Sequence, residues 1–253
     1  MNTWTIQTGK FWTKRTYFIL VSLILLATLG NAQGWEQIYP DYYSNQTSLF
    51  ELSSGEYLFM NRRNQFETAV VKTDSVGNIF AQHTRIDTTP RFRYMNNATL
   101  TASEDILMAG FSTLIQGSSN SEGWVAKVDT AGNTIWETTI QVTGLSYRDI
   151  SVGAGGEMYT VADLQGITYI SKLSAQGDSL WTRTYSFPGI STAYMDQIEV
   201  GRNGEIVFSG SAFDSNNIFK LIYGEIDSSG NLLWFQTYRT QWVQVKTSLV
   251  QTA

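Results

Sequence analysis

Short runs of alternating apolar and polar residues, separated by glycine-bearing turns, make up most of this chain. One phrase, Lys-x-Asp-x-x-Gly-Asn-x-x-Trp in its fullest form, recurs with variations at 71–80, 126–136, 171–181 and 224–234. Its turn glycines are spaced 55, 45 and 53 residues apart; they are Gly77, Gly132, Gly177 and Gly230. Strand-like units with a period near 50 residues predict a repeat architecture.

Each repeat also contains an earlier hairpin. Its copies begin at Leu49, Ala98, Ile150 and Ile198, and each crosses a turn that carries glycine or an acidic residue. Two antiparallel hairpins per unit, with large apolar residues on both strand faces as at 206–208, are typical of β-propeller blades that pack face to face. We therefore predict an all-β fold, a β-propeller of four-stranded antiparallel blades.

The repeat also predicts the domain organisation. Four complete blades are expected at about 45–86, 95–142, 146–187 and 194–240, and residues 241–253 read as the start of a further blade. A lone copy of the outer strand stands earlier, at 35–39. We expect the sequence to be truncated, and the alternative is that four blades close with an irregular fifth segment. The propeller domain as a whole is 33–253.

The recurring turn is interpreted as scaffold. An Asp side chain can accept hydrogen bonds from the backbone two residues on, and glycine takes a positive φ without a Cβ clash. The third copy has Ser174 where the others have Asp74, Asp129 and Asp227. A metal site would lose a carboxylate at that position, so we predict a structural turn at each of the four glycines.

The first 32 residues differ from the rest. Three basic residues precede an apolar run from Tyr17 to Leu29, and small or polar residues follow at 30–32. This layout predicts a cleaved signal peptide at 1–32, since a membrane span would need about 20 apolar residues. The alternative is an uncleaved anchor. We expect a secreted or cell-surface protein, exported through the inner membrane.

Charge and cysteine content exclude several classes. Three of the 17 basic residues and none of the 22 acidic ones fall in the first 32 residues, so the remainder carries a net charge of −8. Nucleic acids and anionic membranes attract basic surfaces, so neither is expected as a partner after cleavage. The chain has no cysteine, so disulfides cannot hold it together.

The phrase at 126–136 and 224–234, followed by Thr237 and Tyr238, resembles the propeller-type repeats of secreted Bacteroidota proteins. The resemblance extends over 35–253. Relatives of that kind often end in a C-terminal sorting domain for type IX secretion, which this sequence lacks. The resemblance implies a repeat fold and export, and it implies little about activity.

The sequence contains no recognisable catalytic set. His83 is the single histidine, placed on an outer strand, and with no cysteine an ordinary zinc site lacks ligands. No catalytic, cofactor-binding or metal-binding residue is predicted, and no cofactor. Several carboxylates lie in or beside turns and read mainly as turn residues: Glu56, Glu104, Asp105, Glu157, Asp163, Asp196, Glu205 and Asp214.

Aromatic and basic residues offer the candidate binding site. They lie in the segments that lead into the first strand of each blade: Tyr42, Tyr43, Arg91, Tyr94, Tyr147 and Tyr194. Such segments gather on one rim of a propeller, where rings can stack on a sugar or anchor a peptide. The alternative is that these rings pack between blades.

These observations favour a secreted, non-enzymatic β-propeller that acts as a binding or surface-interaction module for an unknown protein or carbohydrate ligand. One rival is a secreted carbohydrate-active hydrolase or lyase that uses carboxylates in the channel. Another is a structural propeller of a longer protein. Acidic residues that break the repeat pattern and converge in the channel would favour the enzyme.

Overall fold

The computed structural model describes residues 47–64, 67–86, 91–114 and 120–239, and these form sixteen β-strands. The first eight are β1 (Thr47–Glu51), β2 (Tyr57–Asn64), β3 (Glu67–Thr73), β4 (Ile79–Ile86), β5 (Phe92–Leu100), β6 (Ile106–Thr113), β7 (Glu122–Val128) and β8 (Thr134–Ile140). The others are β9 (Tyr147–Val152), β10 (Met158–Leu164), β11 (Ile167–Leu173), β12 (Ser179–Tyr185), β13 (Ile190–Val200), β14 (Ile206–Asp214), β15 (Phe219–Ile226) and β16 (Leu232–Arg239).

The strands form four separate sheets, each made of four consecutive strands in antiparallel order. We call them the first blade (β1–β4), second blade (β5–β8), third blade (β9–β12) and fourth blade (β13–β16). This arrangement confirms the predicted all-β fold with four four-stranded propeller blades. The predicted signal peptide at 1–32, the lone strand at 35–39 and the further blade at 241–253 lie outside the described residues.

The first strand of every blade is the innermost one. Side chains of β1, β5 and β9 form hydrogen bonds to the first strand of the following blade, as in the bond from Asn97 to Asp149. The fourth strands instead expose large apolar side chains, including Phe80 at 54% and Leu180 at 54%. The polar groups of the first strands therefore meet at the centre of the fold.

The hydrophobic core lies between adjacent blades. One cluster joins the first and second blades around Met60 and Met108, and the next joins the second and third blades around Val125 and Met158. A third cluster joins the third and fourth blades around Phe208. A blade between two neighbours buries both faces, which is why its middle strands are apolar almost throughout.

The Asp-x-x-Gly-Asn turn has the same internal geometry wherever it occurs with aspartate. At 227–231, Asp227 Oδ1 accepts hydrogen bonds from the backbone N–H groups of Ser229 (2.9 Å) and Asn231 (2.8 Å), and Gly230 has φ +83°. Hydrogen bonds from Asn231 lower the pKa of Asp227. In the third blade Ser174 Oγ accepts from the N–H of Asp178 at 3.1 Å, so the serine keeps the turn.

The turn glycines also form the joints between blades. A Cβ built on Gly132 would lie 2.6 Å from the His83 ring, and one on Gly177 would lie 2.6 Å from the Trp136 ring. A Cβ on Gly230 would lie 3.0 Å from Trp181. In each case the covering side chain belongs to the outer strand of the preceding blade. The ring of His83, the single histidine, is therefore part of the contact between the first and second blades.

Among the described residues there is no helix with the length and apolar character needed to cross a bilayer.

The contact between Gly177 and Trp136 predicts a specific loss of stability when a methyl group is added to the glycine. Gly177 (φ +89°) and Gly204 (φ +83°) both lie in hairpin turns, and a Cβ on Gly204 would meet nothing within 4 Å. Gly204→Ala should cost about 1–2 kcal/mol, the ordinary cost of a left-handed residue. Gly177→Ala should cost roughly 1–3 kcal/mol more, because the Trp136 ring must move. Urea unfolding measures both, and equal losses would contradict the joint.

Candidate active site

The inner strands share one polar position that the repeat defines. The turn of each first hairpin begins at Leu52, Thr101, Gly153 or Gly201, whose backbone N–H donates to the carbonyl four residues on. Four residues before these starting points stand polar residues, namely Ser48, Asn97, Asp149 and Gln197. Asp149 is the one carboxylate of the four, so it departs from the neutral polar character of this position.

Three of these side chains are connected by hydrogen bonds that cross from blade to blade. The Ser48 hydroxyl donates to Asn97 Oδ1 at 3.3 Å, and Asn97 Nδ2 donates to Asp149 Oδ1 at 2.6 Å. The backbone N–H of Ile198 donates to the other oxygen, Asp149 Oδ2, at 2.9 Å. The Asp149 carboxyl is therefore held from both neighbouring blades.

A second carboxylate stands two residues further along the inner strands. The equivalent residues are Phe50, Thr99, Ser151 and Glu199, so an acidic residue occurs here in the fourth blade alone. The N–H of Val200 donates to Ser151 Oγ at 3.0 Å, and the Ser151 hydroxyl hydrogen-bonds the Glu199 carboxyl. Glu199 is half-buried, whereas Asp149 is 7% exposed.

Burial perturbs the proton affinity of both carboxyls. It raises the pKa of Asp149 to about 6, against the opposing effect of the hydrogen bonds from Ile198, Ile150 and Asn97. Burial also raises the pKa of Glu199, and the negative charge of Asp149 raises it further. Two carboxyls that resist simultaneous ionisation can supply a proton donor and a proton acceptor near neutral pH.

Tyr147, a residue of the predicted binding rim, is buried. Its side chain is 0% exposed, it belongs to the core between the second and third blades, and its hydroxyl lies 2.7 Å from Ser171 Oγ. Burial raises the pKa of this hydroxyl to about 12. The ring packs between blades, which is the alternative interpretation of the aromatic residues, and it offers no face to a ligand.

The other predicted binding residues lie in different environments. Arg91 forms an ion pair with Glu122 at 2.8 Å. Tyr94 stacks on Phe111 with the ring centroids 4.4 Å apart. Tyr194 is 41% exposed on β13. Tyr42 and Tyr43 lie outside the described residues.

Most of the carboxylates considered from the sequence serve local structure. Asp105 pairs with Lys127 at 2.8 Å, Asp163 with Arg148 at 3.4 Å, and Asp214 with Lys220 at 3.2 Å. Glu104 accepts a hydrogen bond from the backbone of the preceding blade, and Asp196 is exposed on β13. Within the described ranges, no group of three or more His, Cys, Asp or Glu side chains could hold a metal ion.

Asp149 and Glu199 were missed as site residues from the sequence. The signal that could have found them is the alignment of the inner strands on the first-hairpin turn, which places each against neutral or apolar equivalents. The carboxylates of the turns, such as Glu157 and Glu205, lie at the blade ends instead. Asp149 and Glu199 are close together because of how the third and fourth blades pack, and this packing cannot be read from the local sequence.

Comparison with solved structures finds glycoside hydrolases. A GH43 endo-arabinanase from Bacillus licheniformis matches with a TM-score of 0.49 and 12% identity, over 79% of this chain and 80% of that one. A GH43 β-1,3-galactosidase matches with 0.49 and 9%, over 79% of this chain and 47% of that one. An engineered GH43 enzyme with endo-xylanase and exo-arabinofuranosidase activity matches with 0.45 and 12%, over 82% and 44%.

At this level of identity, the likeness is one of fold alone. No known sequence family matches the chain, and no curated protein does.

The expectation of a non-enzymatic binding module is corrected by these findings. The solved structures that share the fold are named as glycoside hydrolases. In addition, the inner strands carry two acidic residues that break the repeat pattern, Asp149 and Glu199, and the charge of the first raises the pKa of the second. The physical reason for the wrong prediction is that the sequence alone did not show which carboxylates face the centre.

The raised pKa values predict how stability depends on pH. The pKa of Asp149 is raised in the folded state to about 6 from 3.8, so its contribution is fully favourable below about pH 4 and is lost as pH rises through about 6. Glu199 contributes with the same sign. Carboxyls with a lowered pKa, such as Asp227, change the stability only below about pH 4. They therefore do not affect the pH dependence between about pH 4 and 7.

Lowering the pH from about 7 to about 4 should therefore stabilise the wild type by roughly 2 kcal/mol relative to Asp149→Asn, because one pKa unit corresponds to about 1.4 kcal/mol. Urea unfolding at several pH values measures the difference. The same pH dependence in both proteins would contradict the assignment.

Proposed function

We propose that this chain is a carbohydrate-active hydrolase whose working carboxylates are Asp149 and Glu199. The observation that carries the proposal is that these two residues break the repeat at adjacent inner strands and interact electrostatically. Hydrolysis of a glycosidic bond ordinarily uses a pair of Asp or Glu residues, one that donates a proton and one that acts as base or nucleophile.

The surroundings of the two carboxyls suggest their roles. Asp149 accepts hydrogen bonds on both oxygens, which favour its ionised form and fix its orientation. Glu199 is more exposed, and both burial and the charge of Asp149 favour its protonated form. We assign Glu199 as the general acid and Asp149 as the carboxylate that acts as base or stabilises positive charge.

The N-terminal sequence supports an extracellular setting for this activity. The segment 1–32 has the layout of a signal peptide, and the repeat resembles those of secreted Bacteroidota propellers. Export would give the protein access to polysaccharides, which are too large to enter cells intact. The remaining surface is acidic, which suits a neutral glycan better than a nucleic acid.

Glu199→Gln tests the proposal directly. The isosteric amide cannot donate the proton, so hydrolysis should fall by roughly 10²–10⁴-fold. Arabinan, xylan and β-1,3-galactan are suitable substrates, and release of reducing sugar is the measurement. Asp149→Asn should show a similar loss.

The matched control is Glu205→Gln, which changes a carboxylate of the same blade in a solvent-exposed turn hydrogen-bonded to Asn203. Its activity should equal that of the wild type. Folded wild-type protein that hydrolyses none of the three polysaccharides, or a Glu199→Gln variant with full activity, would count against the proposal.

A further inference from the structure

The side-chain amide of Asn97 has a defined orientation. Its oxygen accepts hydrogen bonds from the Ala98 N–H at 2.8 Å and from the Ser48 hydroxyl at 3.3 Å. The Ala98 N–H can only donate, so the oxygen must face it and the NH₂ group must face the other way, and the Ser48 hydroxyl then donates to the same oxygen. The NH₂ group lies 2.6 Å from Asp149 Oδ1.

A reversed amide would be unfavourable on both sides. Its carbonyl oxygen would face the Asp149 carboxyl, which in its ionised form only accepts hydrogen bonds, and its NH₂ group would face the Ala98 N–H, which can only donate. The contacts on either side therefore lock the same orientation. Ser48 and Asn97 come from the first and second blades, so two blades act together on a carboxyl of the third.

The second oxygen of Asp149 is fixed from the opposite direction. The backbone N–H of Ile198, on the inner strand of the fourth blade, donates to Asp149 Oδ2 at 2.9 Å. Donors on both oxygens determine the torsion of the carboxyl plane, and a buried side chain with that restriction has one orientation. Asn97 supplies the side-chain half of this restraint.

We propose that Asn97 is a positioning residue for Asp149, with Ser48 fixing the Asn97 amide. The inference rests on the proposed function, since it assigns Asn97 a part in the same site. Asn97 holds the carboxyl plane and favours its ionised form, because a donated hydrogen bond stabilises the negative charge. It does not take part in proton transfer itself.

The groups that face Asp149 are few and mostly uncharged. From β5 the facing side chain is Asn97, and from β10 the register partner is Val161. From β13 it is Glu199, which is the titratable one. Arg148, next to Asp149 on β9, pairs with Asp163. A change at Asn97 that alters the charge of Asp149 therefore also alters the pKa of Glu199.

Replacement of Asn97 by alanine tests the proposal through the titration of Asp149. Loss of the donor should raise the pKa of Asp149 by about one unit, because the hydrogen bond from Asn97 stabilises the ionised carboxyl, and NMR of the Asp149 carboxyl carbon measures this shift. Asn97→Asp should raise it further, because two carboxyls would then share the site.

The matched control is Asn96→Ala. Asn96 is the preceding residue on β5 and also bonds to the third blade, through Ser146 Oγ at 3.0 Å and the Tyr147 carbonyl at 2.6 Å, whereas the hydrogen bonds that lower the pKa of Asp149 come from Ile198, Ile150 and Asn97. It should leave the Asp149 titration unchanged. Ser48→Ala should shift the titration in the same direction as Asn97→Ala by a smaller amount, and it provides the test if Asn97→Ala does not fold.

Activity and titration separate the two proposals. If the polysaccharides are hydrolysed, the acidic limb of the kcat/KM profile should move upward in Asn97→Ala together with the Asp149 pKa. An unshifted titration in folded Asn97→Ala and Ser48→Ala would overturn the positioning role. A shifted titration in a protein without hydrolase activity would support the positioning of Asp149 and refute the proposed function instead.

Discussion

The contact between a turn glycine and a side chain of the preceding blade is the interaction on which the rest of this structure depends. His83 and Trp136 each lie on the glycine of the next blade's outer hairpin, closer than a Cβ would allow, and Trp181 lies on Gly230 at 3.0 Å from where a Cβ would be. The same glycines have positive φ, so the turn and the contact between blades both require glycine at the same position. Each joint fixes the position of a blade at its outer edge, and the apolar clusters between the sheets fill the space inside it.

Blades held at their outer edges bring their first strands close together at the centre. The repeat places a polar residue at the same point of each first strand, and in three blades these residues link through hydrogen bonds to the next blade. A buried carboxyl at such a point is unfavourable unless it is hydrogen-bonded. Asp149 meets that condition from two sides, and Glu199 meets it in part through Ser151. A raised proton affinity for both carboxyls follows from this arrangement.

This geometry places the aromatic residues and the carboxylates in different surroundings. The rim aromatics favoured a binding module, but Tyr147 is buried in the core and Tyr94 stacks within its own blade. The carboxylates at turns are neutralised by lysine, arginine or backbone partners. What distinguishes Asp149 and Glu199 is their departure from the repeat at the inner strands. In a repeat protein, scaffold residues recur and residues with an individual task need not, so the exceptions are the more informative positions.

The sequence by itself determined the local structure of this protein. The turns with Gly77 and its equivalents, the paired hairpins, the four-stranded unit and its repetition all depend on residues close together in the chain, where backbone sterics and short-range hydrogen bonds decide the conformation. Only the tertiary structure decided which carboxylates meet. Asp149 and Ile198 are 49 residues apart, as are Ser48 and Asn97, and their contact depends on how one blade packs against the next. The environment that raises the pKa of Asp149 is likewise supplied by three blades at once.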